Sequence, residues 1–251
     1  MADLSRDTGS AYIGCAGTSI PREVAGDFPG EGSHLERYAR VLTCAEINTS
    51  FYRPHQPSTY ARWANSVPDA FRFAVKTPRT ITHDAQLQGV DALMDRFHGE
   101  AGTLGKKLGS VLVQLPPKLA FDAQVVGAFF TAMQERFDCM LACEARHPTW
   151  FSDEATQLLT DGGITRVIAD PAKGQPGPHV PTTDAVYMRL HGTPRIYYSS
   201  YDAATILQLT ENIETTQKNG HQAWCIFDNT ASGAATANAL ELQRALGKRS
   251  V

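Results

Sequence analysis

Met140-Leu141-Ala142-Cys143-Glu144-Ala145-Arg146-His147-Pro148-Thr149-Trp150 is the stretch from which the rest of the chain can be read. Four residues suited to a buried strand are followed at once by an acid, a base, an imidazole and an indole. A strand that ends in charge is expected where a parallel sheet exposes its C-terminal edge. Comparable endings recur at Glu46 and Asn48, Lys76, Gln114, Asp170, Arg189 and His191, and Asp228 with Asn229.

Working outward, apolar runs predict strands over 12–15, 44–48, 71–76, 109–114, 139–144, 165–169, 185–190 and 223–227. Helical periodicity separates them. Ser33 with Glu36 has the spacing of a capping box, and Ser58, Asp122, Ser152 and Asp202 open later helical stretches. Pro116-Pro117, Gly162-Gly163 and Asn219-Gly220 supply stops, since proline donates no ladder hydrogen bond and glycine ends helices readily. Eight strands with intervening helices in 251 residues predict a single α/β domain, a (β/α)8 TIM barrel over 1–251, preceded by a short polar extension at 1–10.

The composition, 42% hydrophobic and 20% charged, and the lack of a long apolar run or signal-peptide core predict a soluble, cytoplasmic protein that engages no membrane. A net charge of -3 gives no basic footprint for non-specific nucleic-acid binding. The five cysteines form no CxxC pair, and those at 15, 44, 143 and 225 fall in or beside predicted strands, where a thiol fills core space. There is no GxGxxG, P-loop or GxSxG motif.

Residues two apart on a strand share a face, so Glu46 with Asn48, Glu144 with Arg146, and Arg189 with His191 can each point together into a barrel mouth. Glu46 and Glu144 are candidates for acid and base work, with His191 and His83 as secondary proton-transfer groups. Lys76, Arg146 and Arg189 suit an anionic group. Asn48, Tyr52, Gln114, Trp150, Asp170, Asp228 and Asn229 complete the expected substrate-binding set. No cofactor is predicted. Carboxylates and imidazoles at strand ends leave a divalent metal as a minor alternative, without a diagnostic ligand spacing such as HExxH.

Six segments in order, 46–52, 71–76 with 81–83, 111–117, 144–147 with Trp150, 189–192 and 227–230, resemble the YecE-like family, also called the domain of unknown function 72 family. The resemblance implies a (β/α)8 barrel with a polar mouth and no established activity. A fold-level relationship to endonuclease IV-like barrels implies a metal-dependent phosphodiesterase as one alternative. Thr18 stands where the family pattern carries tryptophan, which removes an aromatic wall. Asp228-Asn229 stands where Asn-Asn is common, which adds an acid. The leading expectation is a hydrolase or lyase for a small anionic or sugar-like substrate. A non-catalytic protein that holds an anion or a nucleic-acid end is the rival.

Overall fold

The computed structural model describes residues 9–249; all but the last two positions of the expected N-terminal extension lie outside them. Among the described residues nine strands form one parallel sheet: β1 (Ala11–Ala16), β2 (Cys44–Ile47), β3 (Arg72–Lys76), β4 (Leu108–Gln114), β5 (Met140–Glu144), β6 (Thr165–Arg166), β7 (Ile168–Asp170), β8 (Val186–Leu190) and β9 (Ala223–Phe227). The order β6-β5-β4-β3-β2-β1-β9-β8-β7 wraps back on itself, because β6 and β7 are neighbours in sequence. The protein is a (β/α)8-type barrel.

The sixth predicted strand is the one that differs. It pairs with β5 as far as Arg166 and with β8 from Ile168 onward, and the Val167 amide at the change of partner still donates to the Cys143 carbonyl. The missing ladder positions are filled by a side chain. Thr182 Oγ1 accepts from the Arg166 amide at 2.8 Å and donates to the Ile164 carbonyl at 2.6 Å. Periodicity reads one strand here because the apolar run is continuous; the break is set by Thr182 from a distant loop.

Helices α1 (His34–Ala39), α2 (Pro57–Asn65), α3 (Asp91–Ala101), α4 (Ala123–Arg136), α5 (Asp153–Asp161), α6 (Ala203–Lys218) and α7 (Ala234–Arg249) lie between or after the strands. The Ser33/Glu36 capping box forms, and Asp122, Ser152 and Asp202 each accept a backbone N–H as N-caps. α2 begins one residue before the expected Ser58, with Pro57 in its first turn. α1 stops at Ala39, so Leu42 belongs to the turn after it. Residues 80–84 make a short π-type turn that carries His83.

Alternation along the strands sorts the core into two parts. Ala45, Ile47, Phe73, Val75, Val111, Val113 and Cys143 face the helices. Tyr12, Cys44, Ala74, Leu112, Ala142, Val167, Tyr187, Trp224 and Ile226 fill the barrel interior. Trp224 and Tyr187 stack at 5.8 Å between ring centres, and the room for them comes from small neighbours. A Cβ on Gly109 would meet the Trp224 ring at 2.7 Å, and one on Gly14 would sit 2.0 Å from the Cys44 carbonyl oxygen. Continuing the same alternation up the strands brings Glu46, Lys76, Gln114, Glu144, Arg189 and Asp228 onto the inward face at the C-terminal end.

Cys15, Cys44, Cys143 and Cys225 are buried and unbridged, as expected of core thiols. Burial pushes the Cys15 and Cys143 thiols up to about 12. No helix among the described residues is long and apolar enough to cross a membrane.

Candidate functional site

Arg189, on β8, organises the mouth. Its side chain is 0% exposed. Nε and Nη2 grip the two oxygens of Glu46 at 2.9 and 2.7 Å, Nη1 donates to Glu144 Oε2 at 2.6 Å, and Nη2 also reaches Asp228 Oδ2 at 3.0 Å. A guanidinium suits this position because its flat fork can serve several carboxylates at once. The expectation that Arg189 binds substrate needs correcting on geometric grounds. Its donors are directed at three carboxylates beneath the mouth, so it fixes those acids instead of offering a face to a ligand.

Glu46 accepts, besides Arg189, the hydroxyl of Tyr187 at 2.9 Å and is fully buried. Glu144 Oε1 accepts from Gln114 Nε2 at 2.9 Å and from Arg146 Nε and Nη2 at 2.9 and 2.6 Å. Burial opposes the charge on Glu144, but Arg189, His191 and Arg146 outweigh it and hold the carboxyl well below the usual range. Asp228 is likewise depressed: burial pushes it up, while Arg189 and the His191 hydrogen bond pull it down further. Both acids are therefore carboxylates throughout the neutral range.

His191 lies between them. Nδ1 is 2.9 Å from Asp228 Oδ2 and Nε2 is 3.3 Å from Glu144 Oε1. Both ring nitrogens face carboxylates, an arrangement that favours the doubly protonated ring, although Nε2 also lies 3.4 Å from Arg189 Nη1. Burial works against that charge; the bonds to Asp228 and Glu144 prevail and raise its pKa.

Lys76, at the end of β3, is the opposite case. Its ammonium lies 4.2 Å above the Phe51 ring centre, and among the described residues no carboxylate comes within ion-pair distance of it, the nearby acids being held by Arg189, Arg146 and His191. Burial and then the charge of Arg189 lower its pKa to about 8, against a partial pull from Glu46, Glu144 and Asp228. His83 is lowered by burial, followed by Lys76, Arg79 and Arg146, and its ring packs edge-on to Phe51.

The remaining expected residues divide. Asn48 points Nδ2 toward Asp228 Oδ1 at 3.5 Å, and its own Oδ1 is covered without a partner. Tyr52 is 74% exposed on the rim. Trp150 is not a pocket wall. It is 0% exposed, donates through Nε1 to the Leu119 carbonyl at 2.9 Å and packs against Phe121. Asp170 accepts from the Tyr201 hydroxyl at 2.6 Å and the Thr193 hydroxyl at 2.7 Å, which ties the 192–201 loop to β7. Asn229 donates to the Ser199 carbonyl and to Asn238 and holds the same loop from the other side. Trp150, Asp170 and Asn229 thus build the rim instead of lining the site. His147 caps the turn after β5 through Thr149, outside the cluster.

A small cavity of about 10 Å³, room for one water, is lined by Glu144, Arg146, Pro171, Lys173, His191 and Tyr197, among others. Sequence reasoning missed Tyr187 and Lys173. Tyr187 was readable, because it lies two residues before Arg189 on the same strand and shares its face. Lys173 sits in a loop with no periodicity to place it.

Among the described residues no three His, Cys, Asp or Glu side chains are arranged to hold a metal ion. The donor set suits one poorly: both oxygens of Glu144 accept guanidinium N–H groups, and both ring nitrogens of His191 lie against carboxylates.

A (β/α)8 barrel with a buried carboxylate–guanidinium–imidazole cluster at its C-terminal mouth is the class that fold and site define. A profile of the family described as "Protein of unknown function DUF72" matches residues 12–251, and the chain belongs to that family. It is 33% identical over 165 residues to the UPF0759 protein YecE of Escherichia coli K12, a match over 63% of this chain and 58% of that protein. It is 21% identical to the UPF0759 protein YunF of Bacillus subtilis, over 92% and 93% of the two chains. Among solved structures, DUF72 family proteins of Enterococcus faecalis (TM-score 0.79, 22% identity, 95% and 96% covered) and Thermotoga maritima (TM-score 0.78, 24% identity, 94% and 99% covered) share the fold.

Proposed function

We propose that the mouth is an acid–base active site of a hydrolase or lyase for a small anionic or sugar-like substrate. The observation that carries this reading is His191 set between Asp228 and Glu144, one carboxylate against each ring nitrogen, at the same end of the barrel as a lysine and a second histidine whose pKa values are lowered. Groups pushed in opposite directions at one end of the barrel can divide the roles of proton donor and acceptor. His191 is the donor and His83 the acceptor. Glu144 and Asp228 orient and charge His191. Glu46, gripped by Arg189 and Tyr187, is a positioning residue. Arg146 keeps Nη1 free of hydrogen bonds among the described residues and, with Lys76, receives the substrate's anionic group.

The test is turnover of a panel of small phosphate and carboxylate esters, hydroxy acids and glycosides by the wild type and by His191→Asn. Loss of a proton donor lowers kcat by about 10²–10⁴-fold and removes the fall of the wild-type rate at high pH. A second reading, a non-catalytic holder of an anion or a nucleic-acid end, draws on the two cationic side chains, Arg146 and Lys173, that line the small cavity. It prevails if phosphate or an oligonucleotide end binds, Arg146→Ala abolishes that binding, and no substrate turns over.

A further inference from the structure

Lys76 is more than a counter-charge for an anion. Three acids lie close enough to act on it electrostatically, yet each is committed elsewhere: Glu46 to Arg189, Glu144 to Arg189 and Arg146, Asp228 to Arg189 and His191. A lysine placed to neutralise carboxylates would bridge one of them. This one instead lays its ammonium over the face of Phe51, and its main chain is fixed by the Ser50 hydroxyl, which donates to the Lys76 carbonyl at 2.6 Å. The side chain is buried to 7% exposure. Its nitrogen has no hydrogen bond among the described residues, yet it is absent from the fully covered atoms that lack a partner, so the tip keeps contact with the mouth.

We propose that Lys76 is a nucleophilic amine that forms an iminium with a small carbonyl compound bearing a carboxylate. This rests on the acid–base reading above and specifies its lyase form. The neutral amine attacks the carbonyl carbon, forming a C–N bond while the C=O π pair moves to oxygen. That oxygen departs as water with one proton from Nζ and one from His191, and the nitrogen lone pair closes the C=N bond. When a neighbouring C–H bond breaks, its proton passes to His83 while its electron pair forms the enamine C=C and the C=N π pair moves to nitrogen; return of a proton to that carbon regenerates the iminium, which water hydrolyses to the carbonyl compound and the free amine. Arg146, through its unoccupied Nη1, faces the carboxylate. With a pKa of about 8, Lys76 is about one-tenth neutral at pH 7, against well under a hundredth for an ordinary lysine.

The experiment treats the whole protein with pyruvate and cyanoborohydride, which reduces the iminium to a stable secondary amine, and reads each lysine by peptide mapping. The exposed Lys106 and Lys118 serve as internal references. Lys76 should be labelled at least about tenfold faster than either near pH 7, with a rate that climbs through pH about 8 and levels above it. Acetone, which lacks the carboxylate, should lose most of that advantage. Lys76 labelling no faster than the references overturns the proposal, and needs no variant that might misfold. Selective labelling by acetone and pyruvate alike overturns the carboxylate assignment. The two readings fail separately. Selective Lys76 labelling with no His191-dependent turnover sinks the proposed catalytic function and keeps the amine, whereas His191-dependent turnover with an unreactive Lys76 does the reverse.

Discussion

Replacing Arg189 by Met tests the organisation of the mouth most directly. The guanidinium satisfies three carboxylates through four hydrogen bonds at a site closed to water, and methionine fills similar volume without charge. Breaking a buried ion pair by removing one partner costs about 3–5 kcal/mol. Here Glu46 loses its main partner, while Glu144 keeps Arg146 and Asp228 keeps His191, so the expected loss is about 4–6 kcal/mol. That is below the stability of many domains of this size, about 5–15 kcal/mol, so a folded population should persist at moderate temperature. The pH dependence is the sharper signature. In the wild type, Glu144 and Asp228 have lowered pKa values, so their contribution is present above the unfolded carboxylate range and lost as pH falls through the folded values. Without Arg189, burial, the largest influence on both, is opposed by fewer cations, and protonation relieves part of the damage. Urea unfolding of both proteins at about pH 8 and about pH 5 should show a gap that narrows by at least about 1 kcal/mol at the lower pH. A pH-independent gap, or one under about 1 kcal/mol at either pH, would refute the view that Arg189 compensates buried charge.

His191 has a raised pKa, so its contribution is complete below the unfolded histidine value and disappears as pH rises through the folded one; His191→Gln should therefore flatten the decline of stability as pH rises above the unfolded histidine value of about 6.5, and an unchanged slope would argue against a charged ring. Gly14→Ala places a Cβ on the Cys44 carbonyl and should cost about 3 kcal/mol or prevent folding, whereas Gly99→Ala, exposed in α3 with nothing within 4 Å, should stabilise by about 0.5–1 kcal/mol; equal melting shifts for the two would contradict the packing. In the native protein an aromatic disulfide reagent should modify Cys139 well before the buried Cys15, Cys44, Cys143 and Cys225, followed by its absorbance change and peptide mapping.

The strand positions other than the split of the sixth, the polar C-terminal end and the pairing of Glu144 with Arg146 were legible because strand periodicity is a local property. From Cys44 to Glu46, or Tyr187 to Arg189, two steps carry the chain from apolar interior to polar mouth on one face. The roles of the charges were harder to read. Which acid Arg189 holds depends on β2, β5 and β9 meeting across the barrel, separations of 39 to 143 residues, and no spacing in the sequence encodes that choice. Trp150 misled for a related reason: an indole after a strand end reads as a loop aromatic, but Leu119 and Phe121 from the preceding connection cover it. The break at Val167 was invisible because Thr182, which causes it, lies in a stretch with no regular pattern.

The stacked Trp224 and Tyr187 below Arg189 give the mouth a rigid, largely apolar floor with no water or mobile dipoles to reorient. Charge introduced from above cannot be answered by water from beneath, so the cluster must answer it by moving protons. An incoming anion should raise the proton affinity of Lys76 and His191, and a cation should lower it. Ligand binding then carries a proton count of its own, visible as a heat of binding that changes with the ionisation enthalpy of the buffer while the affinity at fixed pH does not.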